Sequence, residues 1–470
     1  MNHGRKVAQV PAQDKSIAGS IQVGRVIKLS SPERKNFRGY MAFWSGQMIS
    51  TFGTNIVQFA IIIWFAIVTG SPLILGLAGF GALGTQLALT PIAGVYVDRW
   101  SRKKVIAVSD GLQAVAALIL IYFFFTGQAT VWHVLIILSA RGGLGAFHDP
   151  AFQAVIPIMV PERWLSRING LTLLATGMSA AIGAPTAVLL YSLLGGDLAR
   201  ILWIDVITFL IAVVPTVIVY IPRVDKGKSR GEKVAFRSEF SEGLTFIRKK
   251  RGLLTLLSTF TIANFLLVPL GVLLPLFSIQ ILAKGDTTTG KFLFGFLSFL
   301  TNVSLLVGAG IMTAWKGFKR NIVGVVGGLA LGSIGMLLFA LSTHIGSLLL
   351  WLTPQAVVYV AAFGALLVGL VVPIANVSSQ TIWQKIVPPE KLGRVFSVRL
   401  ALAQMSAPFA MLFSGLAADL IGMQMVLLIC GGLELLVLVV TWSMTSLPHV
   451  EDTILENQKP PEEGNLKNRK

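Results

Sequence analysis

Charge is scarce in this sequence. Only 13% of its 470 residues are Asp, Glu, Lys or Arg, about half the ~25% of a soluble globular protein, so most of the surface does not face water. Cysteine is almost missing: Cys430 stands alone in a late apolar block, which excludes an intramolecular disulfide and leaves the redox compartment unread. The five histidines (His3, His133, His148, His344, His449) are scattered, and no His/Cys/acid cluster has the spacing of a metal site. No phosphate-binding glycine loop is found either. Enzyme signatures are therefore lacking, neither metal nor cofactor is expected, and transport driven directly by ATP is disfavoured. Acids are also short, 21 against 39 Lys+Arg, for a net charge of +18.

What is present in quantity is apolar sequence. Hydrophobic residues make up 54% of the chain, in blocks of roughly the 20 residues that a helix needs to cross ~30 Å of hydrocarbon. Twelve spans are expected, near 40–68, 72–96, 105–125, 131–158, 168–194, 200–221, 253–283, 290–314, 322–342, 354–383, 397–421 and 424–446. The 47 glycines suit close helix approach in lipid. The basic excess is positional. With the first tail placed in the cytoplasm, the tails and even-numbered loops hold 35 of the 39 Lys+Arg, the opposite loops hold Arg200, Lys284 and Lys291, and Arg141 lies within a span. That partition is the positive-inside pattern. It predicts a multi-pass protein of the cell (inner or plasma) membrane with both termini cytoplasmic, in contact with anionic lipid and not with nucleic acid.

Five segments follow: a cytoplasmic tail 1–38, a six-helix bundle 39–221, a cytoplasmic linker 222–252, a second six-helix bundle 253–447 and a cytoplasmic tail 448–470. The first tail carries eight Lys+Arg and two acids without a sustained apolar run, unlike a cleavable signal peptide, and Met1-Asn2 does not fit N-myristoylation. Both tails read as mostly disordered. The linker has ten Lys+Arg and four acids, and residues 240–247 read as an amphipathic helix on the membrane surface. The two bundles echo each other: residues 153–161 read QAVIPIMVP and residues 380–388 read QTIWQKIVP, 227 positions apart, each followed by a basic turn and a helix containing proline (Pro185, Pro408). An even number of spans separates the copies, so they form a parallel repeat about the membrane normal.

Charged and polar residues inside the spans are the candidate functional groups. Arg141 in span 4 costs roughly 2.5–3.5 kcal/mol to insert at mid-bilayer, so it needs a cavity or a partner. Arg141, Gly145 and Asp149 share one helix face, with the two charges about 12 Å apart at 1.5 Å per residue. Water or substrate joins them, or each pairs with a neighbouring helix. Gln47, Thr51, Thr54 and Gln58 make a polar stripe on span 1, and Asn264, Asn376 and Gln380 add candidates in the second half; cavity lining and interhelical bonding both fit these groups. Glu434 in span 12 is a further proton-carrier candidate. Asp110 and Asp205 read as helix-start caps.

The loop 94–104, GVYVDRWSRKK, resembles the G-x-x-x-D-R-x-G-R-K loop signature of the major facilitator superfamily, with Ser101 in place of the second glycine. The resemblance implies a cytoplasmic gate in which Gly94, Asp98, Arg99, Arg102 and Lys103 meet the start of span 11 at Gly393 and Arg394. A carboxylate accepting from a helix terminus supplies the attraction. The equivalent loop 310–320 keeps Gly317 but has Ala314 at the acid position, so the gate is expected on one side only. Arg141-Gly142-Gly143-Leu144-Gly145 is similar to the family's span-4 signature, and 177–185 is a partial version of its exporter element, interrupted by Ala184. Trp44, Gly46, Gln47, Ser50 and Gly53, then 146–151 (AFHDPA) with 160–162 (VPE), and 392–397 (LGRVFS) resemble the macrolide-efflux branch, near the enterobactin exporters. Over residues 40–447 the resemblance implies an all-α major facilitator fold of twelve transmembrane helices in two parallel repeats. It also implies a monomeric secondary transporter, not an enzyme, exporting bulky amphipathic molecules such as macrolide-like drugs against proton entry. A siderophore exporter, an importer, a lipid flippase or a non-transporting membrane scaffold or sensor are the alternatives.

Overall fold

A computed structural model describes residues 31–222, 236–349 and 355–452; most of the first tail, much of the linker and residues 453–470 lie outside it. The apolar blocks fold as long helices: α1 (Ser31–Thr69), α2 (Pro72–Arg99), α3 (Arg102–Phe125), α4 (Val131–Met159), α5 (Glu162–Leu193) and α6 (Leu198–Ile218) in the first half. The linker holds α7 (Phe236–Lys249). The second half comprises α8 (Arg251–Leu276), continued by a π-helical turn at Phe277–Leu282, then α9 (Thr287–Ala314), α10 (Asn321–Ala340), the short α11 (Ser342–Leu348), α12 (Ala356–Ile386), α13 (Leu392–Ile421) and α14 (Met423–Met444). Among the described residues eleven helices are long and apolar enough to cross a membrane. The twelfth, α4, has the length, at 29 residues; its Arg141, His148 and Asp149 dilute its hydropathy. It packs against α2 and α3 and completes the bundle.

The two halves repeat one packing scheme. In the first half α1 packs on α5 and α6, α2 on α4, and α3 on α4 and α6. In the second half α8 packs on α13 and α14, α9 on α12, and α10 on α12 and α14. Contact between the halves runs through α2 against α13 and α5 against α9. Glycines bring these backbones together: a Cβ on Gly415 would sit 2.6 Å from the Pro72 carbonyl oxygen, and one on Gly76 would sit 2.5 Å from that of Met411. Phe80 meets Phe409, Phe59 meets Phe294, and the Ser71 hydroxyl donates to Asp419 at 3.2 Å. These contacts lie from the middle of the helices to the end away from the linker. At the linker end, Gly94 and Gly393 have no atom within 4 Å of a notional Cβ, and Val95, Tyr96, Trp100 and Leu400 are exposed. The halves diverge toward that end.

Two segments pack more firmly than the sequence suggests. The apolar face of α7 is covered by α8 and α13 instead of being left for lipid: Ile247 is fully buried, and a Cβ at Gly243 would reach 2.7 Å from the Arg394 carbonyl oxygen. The chain after α14, expected to start a loose tail, folds back onto the start of α10. There the buried Glu451 accepts from Asn321 Nδ2 (2.8 Å) and Ile322 N (2.9 Å), and Asp452 pairs with Arg320. A carboxylate on exposed helix-start N–H groups satisfies donors that the helix leaves free. Asp286 does the same for α9. Its hydrogen bonds from the Thr289 hydroxyl and from the Thr288 and Thr289 amides hold its carboxyl below the usual range.

Asp110 and Asp205 are not caps. They are the ninth residue of α3 and the eighth of α6, whose N-caps are Ser101 and Asp197. Both are buried, so each needs a partner within the bundle. For Asp205 the partner is Arg141, whose Nη2 lies 2.6 Å from Oδ2 in an ion contact off the hydrogen-bond line. Thr54 of α1 donates to the other oxygen at 3.0 Å, and the Phe209 ring lies 5.7 Å from the guanidinium carbon. Three helices, α1, α4 and α6, are thus tied at one buried ion pair. Removing one partner of such a pair costs about 3–5 kcal/mol, whereas replacing both by apolar groups is often neutral. Asp205→Asn is therefore expected to lower the melting temperature of the purified protein sharply, and Arg141→Met combined with Asp205→Leu to recover most of the loss. An Asp205→Asn protein as heat-stable as the wild type would rule out this role.

Candidate functional site

The second polar cluster of the first half extends from the buried core to the open side. Gln47 of α1 donates from Nε2 to Asp110 Oδ2 of α3 at 2.9 Å and, more weakly, to the Thr216 hydroxyl of α6 at 3.4 Å. His148 of α4 places Nε2 3.1 Å from Gln47 Oε1 and 3.3 Å from Asp110 Oδ1, while its Nδ1 lies 3.2 Å from Asp149 Oδ1. Gln86 of α2 completes the chain by donating to Asp149 Oδ2 at 3.0 Å. Each ring nitrogen of His148 thus faces acceptor oxygens, an arrangement satisfied when the ring donates from both sides. Exposure rises along the row: the Asp110 side chain is 1% exposed, His148 17% and Asp149 55%. The Phe152 ring stacks parallel to the imidazole at 6.3 Å and limits its movement. The row thus joins a buried carboxylate to an exposed one through a single imidazole.

The residues named from the sequence separate into distinct places. Asp149 faces the opening, whereas Arg141, 8% exposed, is turned to Asp205 on α6. The span-1 stripe is divided: Gln47 and Thr54 are bonded into the two clusters, the Thr51 hydroxyl donates to the Gln47 carbonyl, and Gln58 is exposed. In the second half, Asn264 and Asn376 line a cavity of about 150 Å³ between α8, α12 and α13, together with Phe260, Trp383, Arg399 and Gln404. Gln380 is exposed outside that lining. Glu434 is 1% exposed, with no hydrogen bond to either carboxylate oxygen. Ser333 on α10 is close enough to interact with it, but its hydroxyl donates to Leu329 of its own helix.

The gate residues are also apart. Arg99 is exposed, and the buried Nε of Arg102 makes no hydrogen bond. Lys103 donates to the Val217 and Val219 carbonyls at 2.6 and 2.9 Å, closing the C-terminal end of α6, where a cation also complements the helix dipole. Arg394 pairs with Glu242 of α7, and Lys391 lies 3.7 Å from the same carboxylate. The side chain of Asp98 is outside the described ones. Sequence reasoning passed over Asp110, Asp205, His148, Gln86 and Arg399 as functional groups. Asp110 and Asp205 carry a signal as charges within spans, and His148 as a second polar residue beside Asp149 on α4.

Comparison with known proteins agrees with this geometry. The model of the Major Facilitator Superfamily matches residues 43–365. Macrolide efflux protein A of Streptococcus pyogenes is 30% identical over 402 residues, covering 85% of this chain and 94% of its own length. Putative bacilysin exporter BacE of Bacillus amyloliquefaciens is 28% identical over 349 residues, covering 73% and 81%. Among solved structures, the nucleoside transporter NupG aligns with a TM-score of 0.64 at 12% identity, covering 86% of this chain and 98% of that one. A bacterial homologue of the iron transporter ferroportin, in its inward-facing state, aligns with a TM-score of 0.61 at 16% identity, covering 87% and 99%. A repeated six-helix architecture, the family match and the extent of the efflux relatives lead to one assignment: this chain belongs to the Major Facilitator Superfamily, as a multi-pass membrane transporter similar to the macrolide-efflux branch and not an enzyme.

Proposed function

We propose that this protein is a proton-coupled exporter that moves bulky amphipathic molecules, of the macrolide-like kind, across the cell membrane by alternating access. The row Asp110–His148–Asp149 carries the reading, because it joins a buried carboxylate to one open to water through a single imidazole. The efflux relatives support the direction and the substrate class. Each proton that enters is worth roughly 2.3 kcal/mol per 100 mV. In this reading Asp149 exchanges protons with the opening and His148 hands them toward Asp110. Arg141 holds the bundle around the path, and Glu434 is the second candidate carrier. Asp149→Asn should abolish pH-driven accumulation in energised inverted vesicles while counterflow of the same substrate continues. Full accumulation by Asp149→Asn would move the coupling site elsewhere, first to Glu434.

The linker end is assigned to the cytoplasm from the distribution of basic residues, which makes the described state inward-facing. Single cysteines at positions 229 and 287, in a Cys430→Ala background, should label from opposite sides of the membrane; labelling from one side would overturn this orientation.

The loop from Gly94 to Lys103 then closes on Gly393 and Arg394 in the outward-facing state. A carboxylate at a helix terminus contributes ~0.3–2 kcal/mol, enough to move a balanced two-state equilibrium several-fold. Asp98→Asn should therefore lengthen the mean distance between spin labels at Lys104 and Ser397, and an unchanged distance distribution would remove Asp98 from the gate.

A further inference from the structure

Among the described residues the second half contains a cation, Arg399, that no carboxylate meets. Arg399 is the eighth residue of α13, about 10 Å into the helix at 1.5 Å per residue. It is partly buried, with its guanidinium carbon 5.6 Å from the Trp383 ring and 5.4 Å from the Phe396 ring. Among the described residues it makes no ion pair and no hydrogen bond, and α8 and α12, which line the cavity with it, contain no Asp or Glu. On α13 itself the acid is Asp419, twenty residues away and bonded to Ser71. Glu242 of α7 is occupied by Arg394 and Lys391. The contrast with Arg141 is direct: that arginine also has an aromatic neighbour, but its charge is matched by Asp205 at 2.6 Å.

The cavity beside Arg399 has a volume of about 150 Å³, below the ~300–1,000 Å³ of a site for a whole drug-sized ligand. It has room for one headgroup and its first few carbons. Its polar lining, the amides of Asn264, Asn376 and Gln404, supplies further donors, and Phe260 and Trp383 supply flat apolar walls. A guanidinium presents paired N–H groups that match a carboxylate or phosphate edge. The aromatic rings hold the guanidinium plane without neutralising it.

We propose that this pocket is the subsite for the anionic group of an amphipathic substrate, with Arg399 as the charge that selects it. The assignment rests on the transporter reading above and refines it. Amphipathic cargo that carries an acidic group is bound in preference to its uncharged counterpart, and a substrate with both an amine and an acid would face Asp149 in one half and Arg399 in the other.

The test uses the full chain in phosphatidylcholine nanodiscs and two probes of nearly equal size, cholate and its uncharged methyl ester. Wild type is expected to bind cholate at least tenfold more tightly than the ester. Arg399→Gln should bring cholate down to the level of the ester and leave the ester unchanged, while Arg399→Lys retains part of the preference. A wild type without preference for cholate, or a preference that survives Arg399→Gln, overturns the proposal. Replacing a third of the lipid by phosphatidylglycerol separates two sources of the anion. Loss of cholate binding then assigns the pocket to a lipid headgroup, and unchanged binding assigns it to a soluble substrate. Erythromycin counterflow in proteoliposomes is run alongside. Flux without cholate preference sinks the subsite and spares the exporter, whereas cholate preference without flux does the reverse.

Discussion

Inside a bilayer a polar side chain has no water to fall back on, so each charge within a span must be answered by another helix or by a cavity. In this protein that constraint fixes how the first half is assembled. Arg141 draws α6 and α1 onto α4 through Asp205 and Thr54. Asp110 draws α1 and α4 onto α3 through Gln47 and His148. Between them the two clusters fix the mutual positions of four helices that are otherwise apolar and nondirectional in their packing. Within the spans of the second half glycine contacts such as Gly335 against Gly364 and broad aliphatic packing predominate, with the charged ties Glu451–Asn321, Asp452–Arg320 and Glu242–Arg394 confined to the linker end. The half that carries the proposed proton path is therefore the one whose geometry is set by charge.

The separation of these roles has a mechanical side. Contact between the halves combines glycines against backbone, at Gly76 and Gly415, with the ring pairs Phe80–Phe409 and Phe59–Phe294 and few polar bonds among the described residues. In the proposed alternating access, the ion pair Arg141–Asp205 lies inside the first half and would not have to break when the halves part. Asp149, 55% exposed, lies outside that interior, bonded to His148 and Gln86.

The helical spans were legible in the sequence, because membrane insertion writes itself in the length of the apolar blocks. The limits of α4, read at 131–158, lie within one residue of the helix. The repeat marked by 153–161 and 380–388 corresponds to the shared packing scheme. Pairing across helices was not legible. Periodicity places residues on a face of one helix but says nothing of what stands opposite, so Asp205 reads as a cap and nothing singles out Arg399. The same limit hid the burial of α7, whose amphipathic face fits lipid or α13 equally well until the neighbouring helix is placed. His148 lacked weight because a single histidine gains meaning only with Asp110 and Asp149 on either side.

The fold-back at the end of the second half bears on biogenesis. The carboxylate that completes the start of α10 belongs to Glu451, 130 residues later than Asn321. During synthesis Glu451 can reach the start of α10 only after every span of the second half has been made. All the spans of the second half can thus be inserted while their bundle remains unfinished. A chain ending just after α14 would possess every transmembrane segment and still lack the carboxylate that accepts from Asn321 and Ile322 at the start of α10.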